Sequence, residues 1–228
     1  MNQQRPQPIR FQTPIQSTAV TLHVEIAKFG SGSQRLSLPV KSMGFERLQR
    51  LGRALLIIDG ENITYNLNNA GWNLDYATLL GHLQGKCDVL EPHVFTTAQD
   101  HAVERVKRYY AGTGIAPHVR YVENVLTANG QSRHANSDNE LLLQLGYLCA
   151  KQEFDTVVLA TGDGALGCSA INFLAELRNP PRAYTCSVMG ATSPRLLTEN
   201  NSLVNGNLWI GQDILRPRMS LTKIDLRH

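Results

Sequence analysis

The chain has 228 residues, 42% of them hydrophobic, which is enough for one packed α/β domain with an appendage but hardly for two full domains. Its 22 Lys and Arg against 19 Asp and Glu leave a net charge of +3, too small to indicate a nucleic-acid partner by bulk attraction alone. The four cysteines are spaced neither as a zinc site nor as a disulfide scaffold. With no signal-peptide core and no run of 18 apolar residues, we expect a cytoplasmic protein that does not enter a membrane.

The amino-terminal part is expected to form two segments outside the main domain. Residues 1–16 are rich in Gln and Pro, which predicts a flexible arm. Residues 17–48 predict a β-hairpin extension, because apolar residues alternate from Leu22 to Ile26 and again from Leu36 to Val40 around a Gly/Ser turn. A lone hairpin is marginal in water, so it is expected to pack on the main domain, a partner or a second subunit. A homodimer through its exposed edge and a monomer both stay open.

From about residue 53, apolar runs alternate with helical periodicity. The runs are 55–58, 89–95, 119–122, 156–160 and 184–189, and the helical stretches lie around 75–84, around 100–111 and at 138–150. Strands that alternate with helices predict an α/β fold, a three-layer sandwich with a mostly parallel central sheet. We assign residues 49–213 to this domain and 214–228 to a basic carboxyl-terminal tail.

Three aspartates follow or precede these elements in a way that predicts one acidic site. Asp59 directly follows the run 55–58, and Asp163 follows the run 156–160 after Thr161 and Gly162. Asp138 opens the helix 138–150, whose start is indicated by a capping-box pattern of Ser137 and Glu140. In parallel sheets, the carboxyl ends of the strands meet at one edge, where ligands bind. Clustered carboxylates repel one another, so Mg²⁺ or Mn²⁺ is expected to neutralise them.

Each aspartate also has a purely structural interpretation. Asp59 with Gly60, and Asp163 with Gly164, have the composition of turns, and Asp138 suits the first turn of a helix for electrostatic reasons alone. Their joint placement at strand ends favours the site.

Three segments resemble the NYN family of PIN-like ribonucleases: IIDGENITYNL at 57–67, SDNELLLQLGYL at 137–148 and VVLATGDGAL at 157–166. The resemblance covers about residues 53–211 and implies a PIN-like fold with Mg²⁺- or Mn²⁺-dependent hydrolysis of RNA. It implies Asp59, Asp138 and Asp163 as metal ligands, Asn62 as a supporting hydrogen-bonding residue, and Thr161 in the place of the family's serine. Glu61 is a weaker candidate ligand.

The chain departs from the family at two positions. Ala165 and Gln144 stand where many relatives carry further aspartates. The loss of two carboxylates weakens the expected metal binding, particularly of a second ion. Two functions therefore stay open: a metal-dependent ribonuclease, and a catalytically degenerate PIN-like domain that binds RNA or a protein.

Two basic segments are candidate RNA-binding surfaces. Arg105, Lys107 and Arg108 precede two tyrosines, a combination that can hold phosphates and stack on bases, although an ordinary solvated helix face has the same composition. Arg133 and His134 lie in the polar segment 127–136, interpreted as a loop that drapes over RNA or is simply exposed.

Overall fold

The computed structural model describes residues 21–26, 34–39, 42–69, 71–127, 130–134, 137–188, 192–193, 195–196 and 202–217. The helices are α1 Gly60–Asn69, α2 Tyr76–Gln84, α3 Val103–Gly112, α4 Asp138–Lys151 and α5 Gly164–Ala175. The strands are β1 Thr21–Ile26, β2 Gln34–Pro39, β3 Ser42–Met43, β4 Gly52–Asp59, β5 Trp72–Leu74, β6 Cys87–Ala98, β7 Ala116–Tyr121, β8 Glu123–Thr127, β9 Gly130–His134, β10 Thr156–Ala160, β11 Arg182–Val188, β12 Gly206–Ile210 and β13 Leu215–Pro217.

A parallel sheet with the order β3-β12-β11-β10-β4-β6-β7 forms the centre of the fold. Six of its strands are long, and β3 adds two residues at one edge. The central strands are apolar on both sides because helices cover both faces. Leu56 and Ile58 pack in the core on the side of α1, α2 and α3, whereas Leu55 and Ile57 pack on the side of α4 and α5.

The connections change direction between β4 and β10. From β4 the chain moves towards one edge, to β6 and then β7, while from β10 it moves the other way, to β11 and then β12. Right-handed crossovers in opposite directions place their helices on opposite faces of the sheet. The sheet therefore has a topological switch point between β4 and β10.

The predicted α/β fold with a parallel sheet is confirmed, and the strands and helices predicted between residues 53 and 188 each correspond to an element of the structure. The run 156–160 forms β10, and the helices predicted around 75–84 and at 138–150 correspond to α2 and α4. The helices α1 and α5, which follow the strands that end at the predicted site, were not predicted as helices. No helix in the described part of the chain is long and apolar enough to cross a membrane.

The interpretation of residues 127–136 as a loop is wrong for most of that segment. Residues 123–127 and 130–134 form the antiparallel strands β8 and β9, in which Arg133 is level with Asn124 and His134 with Glu123. Backbone pairing gives this polar segment regular structure, since the inward-facing peptide groups of each strand bond to the other strand.

Two segments at the chain's ends bear on the remaining predictions. Strands β1 and β2 pair antiparallel, but the turn predicted between them lies outside the described residues, so the hairpin extension stays a prediction. Near the other end, β13 pairs with β5, and Arg216 forms an ion pair with Asp75 at 2.6 Å. Residues 218–228 of the predicted basic tail lie outside the described residues.

Candidate acidic site

The candidate site lies at the carboxyl ends of β4 and β10, at the switch point of the sheet. Ala160 is the register partner of Ile58, so the next residues of the two strands, Thr161 and Asp59, are level with each other. Open α/β sheets bind ligands at this position because the connections on either side diverge and leave a crevice. Asp59 is only 4% exposed and Thr161 is fully buried.

Hydrogen bonds fix both oxygens of the Asp59 carboxylate. The Thr161 hydroxyl donates to Oδ2 of Asp59 at 2.8 Å, and the backbone N–H of Asn62 donates to Oδ1 at 3.1 Å. The second bond satisfies an N–H group in the first turn of α1, which otherwise has no helical partner. Asp59 therefore ends β4, receives a hydrogen bond from α1 and receives another from the end of β10.

Asn62 connects the start of α1 to the end of β10. Its Oδ1 accepts a hydrogen bond from the backbone N–H of Gly162 at 2.8 Å and from Nδ2 of Asn66 at 3.2 Å. Gly162 is buried, so its N–H would have no access to water if this acceptor were removed. The family-implied supporting residue thus has a defined structural partner.

Asp163 starts α5 and is connected to Asp59 through Thr161. Its backbone N–H donates to the Thr161 hydroxyl at 3.1 Å, and its own Oδ1 accepts from the N–H of Leu166 at 2.8 Å as a helix N-cap. Gly164 follows because a Cβ there would collide with the Ser193 side chain. Asp163, whose structural alternative was a turn, is thus a helix N-cap, and its half-buried carboxylate also lines a surface cavity.

Asp138 lies close enough to Asp59 for the two charges to interact. Burial raises the pKa of Asp59 to about 6, against the hydrogen bonds from Asn62 and Thr161, which lower it. The negative charges of Asp138 and Glu61 raise this pKa further. None of the ion pairs between described residues includes Asp59.

The capping-box interpretation of Ser137 is wrong, although α4 does begin at Asp138 as predicted. Ser137 is buried and has the helical conformation, and its side chain makes no capping hydrogen bond. Its backbone carbonyl instead accepts from the N–H of Leu141, the ordinary helical bond. The helix therefore starts beside a buried Ser137 and without a capping box.

The donor chemistry of the site suits a hard divalent cation, but the carboxylates are not assembled into a complete ligand set. Only oxygen donors are present, and each Asp59 oxygen keeps a lone pair beyond its one hydrogen bond. Among the described residues, no group of three or more His, Cys, Asp or Glu side chains is close enough to hold a metal ion. The fit to Mg²⁺ or Mn²⁺ therefore rests on the type of donor and on the buried carboxylate of Asp59.

Two cavities flank the acidic residues. One, of about 490 Å³, lies beside α5 and is lined by Asn62, Gly162, Asp163, Gly164, Ala165, Thr192, Ser193 and Arg195. The other, of about 790 Å³, lies between α1, the end of β6 and α3, and is called here the tyrosine cavity; it is lined by Gly60, Glu61, Thr64, Tyr65, Asn68, Thr96, Thr97, Arg105, Val106, Tyr109 and Tyr110. Asp163 thus lines one cavity and Glu61 lines the other.

The predicted RNA-binding residues of α3 separate into two groups. Arg105 is exposed and lines the tyrosine cavity. Lys107 forms an ion pair with Glu104 at 3.0 Å, and Nε of Arg108 donates to the Glu104 carbonyl oxygen. Arg133 and His134 lie on β9, for which only the backbone is described.

Two residues of α1 line the tyrosine cavity: Glu61, which was predicted only as a weaker candidate ligand, and Tyr65, which was not among the candidate residues. Both lie on the exposed side of α1, whose other side buries Ile63 and Leu67. The Glu61 carboxylate accepts a hydrogen bond from the Thr97 hydroxyl, which directs it to the tyrosine cavity. The four-residue spacing of Ile63 and Leu67 was the available signal, since it predicts a helix with these residues on its inner face.

The fold and site define a parallel α/β protein with an acidic switch point. Residues 53–203 match the family described as NYN domain, and the chain therefore belongs to this PIN-like family. No curated protein matches the chain significantly.

Two solved structures are similar to this chain. A protein of unknown function from Vibrio parahaemolyticus has a TM-score of 0.55 and 19% identity, over 74% of this chain and 98% of that one, which shows a shared fold. Acinetobacter baumannii MurG has a TM-score of 0.32 and 11% identity, over 68% of this chain and 44% of that one, which is too low to support an argument.

Proposed function

We propose that this protein is a ribonuclease that hydrolyses RNA phosphodiester bonds with Mg²⁺ or Mn²⁺ at Asp59, Asp138 and Asp163. Membership of the NYN family makes a nuclease the first candidate. The observation that carries the proposal is Asp59 itself, a buried carboxylate with a raised pKa at the switch point. Burying a carboxylate beside other negative charges destabilises a fold, and this arrangement is typical of functional sites.

The proposed roles of the residues are supported by their positions in the fold. Asp59, held through both oxygens, is the fixed ligand; Asp138 and Asp163, at the amino termini of α4 and α5, are the second and third ligands. Thr161 orients Asp59 and is in turn hydrogen-bonded by the backbone of Asp163. A divalent cation bound there would activate a water molecule and stabilise the charge that develops on the phosphodiester.

The alternative is a catalytically degenerate domain that binds RNA or a protein, and two observations favour it. Ala165 is exposed in the first turn of α5 and lines the same cavity as Asp163, where the family resemblance implies a further aspartate. The described residues also lack a preassembled metal-binding group. A site with fewer carboxylates binds divalent cations more weakly, because each lost charge removes attraction and a ligand.

The two functions are separated by metal-dependent cleavage. Labelled single-stranded and structured RNAs are incubated with the native protein and with Asp59→Asn, Asp138→Asn and Asp163→Asn, in EDTA, Mg²⁺ or Mn²⁺. The ribonuclease cleaves RNA only with metal, and the three variants do not cleave it, because an amide cannot replace the anionic ligand.

Asp88→Asn is the matched control for charge removal. Asp88 lies near the start of β6, at the amino ends of the strands and so away from the site, where it pairs with Arg50. This variant should cleave like the native protein. Cleavage by Asp59→Asn at the native rate would refute the assigned site, and intact RNA in every condition, with RNA retained in a binding assay, would favour the degenerate module. A homodimer through the amino-terminal strands remains a separate proposal, tested by the protein's mass in solution.

A further inference from the structure

The tyrosine cavity has the size and lining of a small-ligand site, and nothing in the proposed metal chemistry uses it. Its volume of about 790 Å³ lies within the range of about 300–1,000 Å³ that is usual for ligand pockets. Gly60 and Glu61 belong to its wall and directly follow Asp59 in the chain. Anything bound in the cavity would therefore lie next to the acidic site.

Two tyrosine rings in the cavity wall are exposed to an unusual degree for large aromatic side chains. Tyr65 on α1 is 69% exposed and Tyr109 on α3 is 56% exposed. Tyr109 is braced edge-on by Tyr110, with ring centroids 5.1 Å apart, and Tyr110 is hydrogen-bonded to Tyr76. An exposed ring, such as that of Tyr65 or the braced ring of Tyr109, can accept a flat aromatic ligand by stacking.

The polar groups of the cavity select among possible flat ligands. Arg105 supplies a positive charge at the rim, which favours a ligand that carries phosphate. Glu61, Asn68 and Thr97 supply hydrogen-bonding groups, and the negative charge of Glu61 disfavours a phosphate in the interior. A nucleoside suits this division, with its base between the tyrosines and its phosphate towards Arg105.

We propose that the tyrosine cavity is a nucleoside subsite that holds one unpaired base of single-stranded RNA beside the acidic site. This inference rests on RNA being the ligand in the proposed function. An RNA strand would cross the carboxyl edge of the sheet, with a phosphate at the acidic residues and the neighbouring base in the cavity. A paired base cannot enter, because its faces are already stacked in the duplex.

The test measures RNA binding in EDTA, so that it does not depend on cleavage. Fluorescence anisotropy with a labelled single-stranded oligoribonucleotide compares the native protein with Tyr65→Ala and Tyr65→Phe. Tyr65→Ala should weaken binding by about 5- to 150-fold, the equivalent of the roughly 1–3 kcal/mol that stacking of one base contributes. Tyr65→Phe keeps the ring and should bind within about 2-fold of native.

Two controls distinguish base stacking from general contact. Tyr147→Ala removes another exposed tyrosine, on α4 and so on the other face of the sheet, and should bind like native. Oligonucleotides with a single abasic site, moved along the strand, should show one position that weakens binding to the native protein but not to Tyr65→Ala. Loss at that position in both proteins, or equal affinity of native and Tyr65→Ala for the intact RNA, would overturn the subsite.

The outcomes separate this inference from the proposed function. Tyr65-dependent binding without any metal-dependent cleavage would support the subsite and refute the proposed nuclease activity. Metal-dependent cleavage with unchanged binding by Tyr65→Ala would support the proposed nuclease activity and refute the subsite. Duplex RNA that binds as tightly as single-stranded RNA, and independently of Tyr65, would also overturn the subsite, because no unpaired base is then required.

Discussion

Replacing Asp59 with asparagine should stabilise the metal-free protein at neutral pH, although the same change should abolish cleavage. Asp59 is almost completely buried, and its pKa is raised to about 6 because burial penalises the charged carboxylate. At neutral pH the folded protein therefore holds an unfavourable charge that asparagine does not carry. A residue retained for function is expected to oppose stability in this way.

The size of the effect follows from the shift of this pKa. A rise from 3.8 to about 6, at about 1.4 kcal/mol per unit, corresponds to about 3 kcal/mol of lost stability. Asparagine keeps the acceptor for the Asn62 N–H but loses the acceptor for the Thr161 hydroxyl, which costs about 1 kcal/mol. The net gain is therefore about 2 kcal/mol, or about 4–8 °C in Tm for a domain of this size.

The gain should depend on pH in a defined direction. The folded state binds the Asp59 proton more tightly than the unfolded state, so the native protein loses stability as the pH rises from about 4 to about 6. Above pH 6 the loss is complete, and below pH 4 it vanishes. The difference between variant and native should therefore be largest at pH 7–8 and should disappear, or reverse by the lost hydrogen bond, at pH 4.

The assay is thermal and urea unfolding of both proteins in EDTA from pH 4 to pH 8. The difference between them is the relevant quantity, because other groups change the absolute stability. One is His118, whose pKa is lowered to about 4 by burial and by the neighbouring His93, so its protonation destabilises the fold as the pH falls. This contribution is common to both proteins and cancels in the difference.

Asp75→Asn is the matched control, because the opposite sign is expected. Hydrogen bonds from Thr78 and the ion pair with Arg216 outweigh the burial of Asp75 and lower its pKa. Its charge therefore stabilises the fold at neutral pH, and its removal should lower Tm. Equal or lower stability of Asp59→Asn at pH 8, measured in EDTA, would refute the electrostatic account of the site.

Three further substitutions test the site and the core. Thr161→Val should lower metal-dependent cleavage by about 10- to 100-fold, as losses of residues that orient metal ligands do, while Thr161→Ser retains activity; equal rates for both would exclude the orienting role. Ala165→Asp should increase the rise in Tm on adding Mn²⁺, because it adds a carboxylate beside Asp163; an unchanged response to Mn²⁺ would count against a metal there. Leu145→Ala, at a fully buried position of α4, should lower the free energy of unfolding by about 2–5 kcal/mol in urea titrations, and a loss below 1 kcal/mol would contradict the packing.

The sequence was most informative where one periodic signal determined the local structure. The run 156–160 predicts β10 because four consecutive apolar residues after Thr156 suit a strand buried on both faces, and all five residues are buried. Asp59 and Asp163 each follow a predicted strand, and this position likewise predicted that both lie at the carboxyl ends of the strands. Such signals are local, so they survive without knowledge of the neighbouring elements.

Sequence reasoning failed where short or polar segments acquire structure from pairing. Arg133 and His134 lie in a segment rich in Asn, Ser and Gly, a composition typical of loops, yet the backbone of 130–134 pairs with 123–127. Asp59 with Gly60 has the composition of a turn, yet helix α1 begins at Gly60 directly after the strand. In both places, backbone hydrogen bonding overrides local composition.

The sequence alone determined that three aspartates follow or precede buried elements of one parallel α/β domain. Only the tertiary structure decided that β4 and β10 are neighbours, because strand order depends on the direction of the crossovers and not on local periodicity. That adjacency places Thr161 against Asp59 and buries Asp59 deeply enough to raise its pKa. The same packing brings Tyr65 of α1 and Tyr109 of α3 to one cavity, although they lie 44 positions apart in the chain.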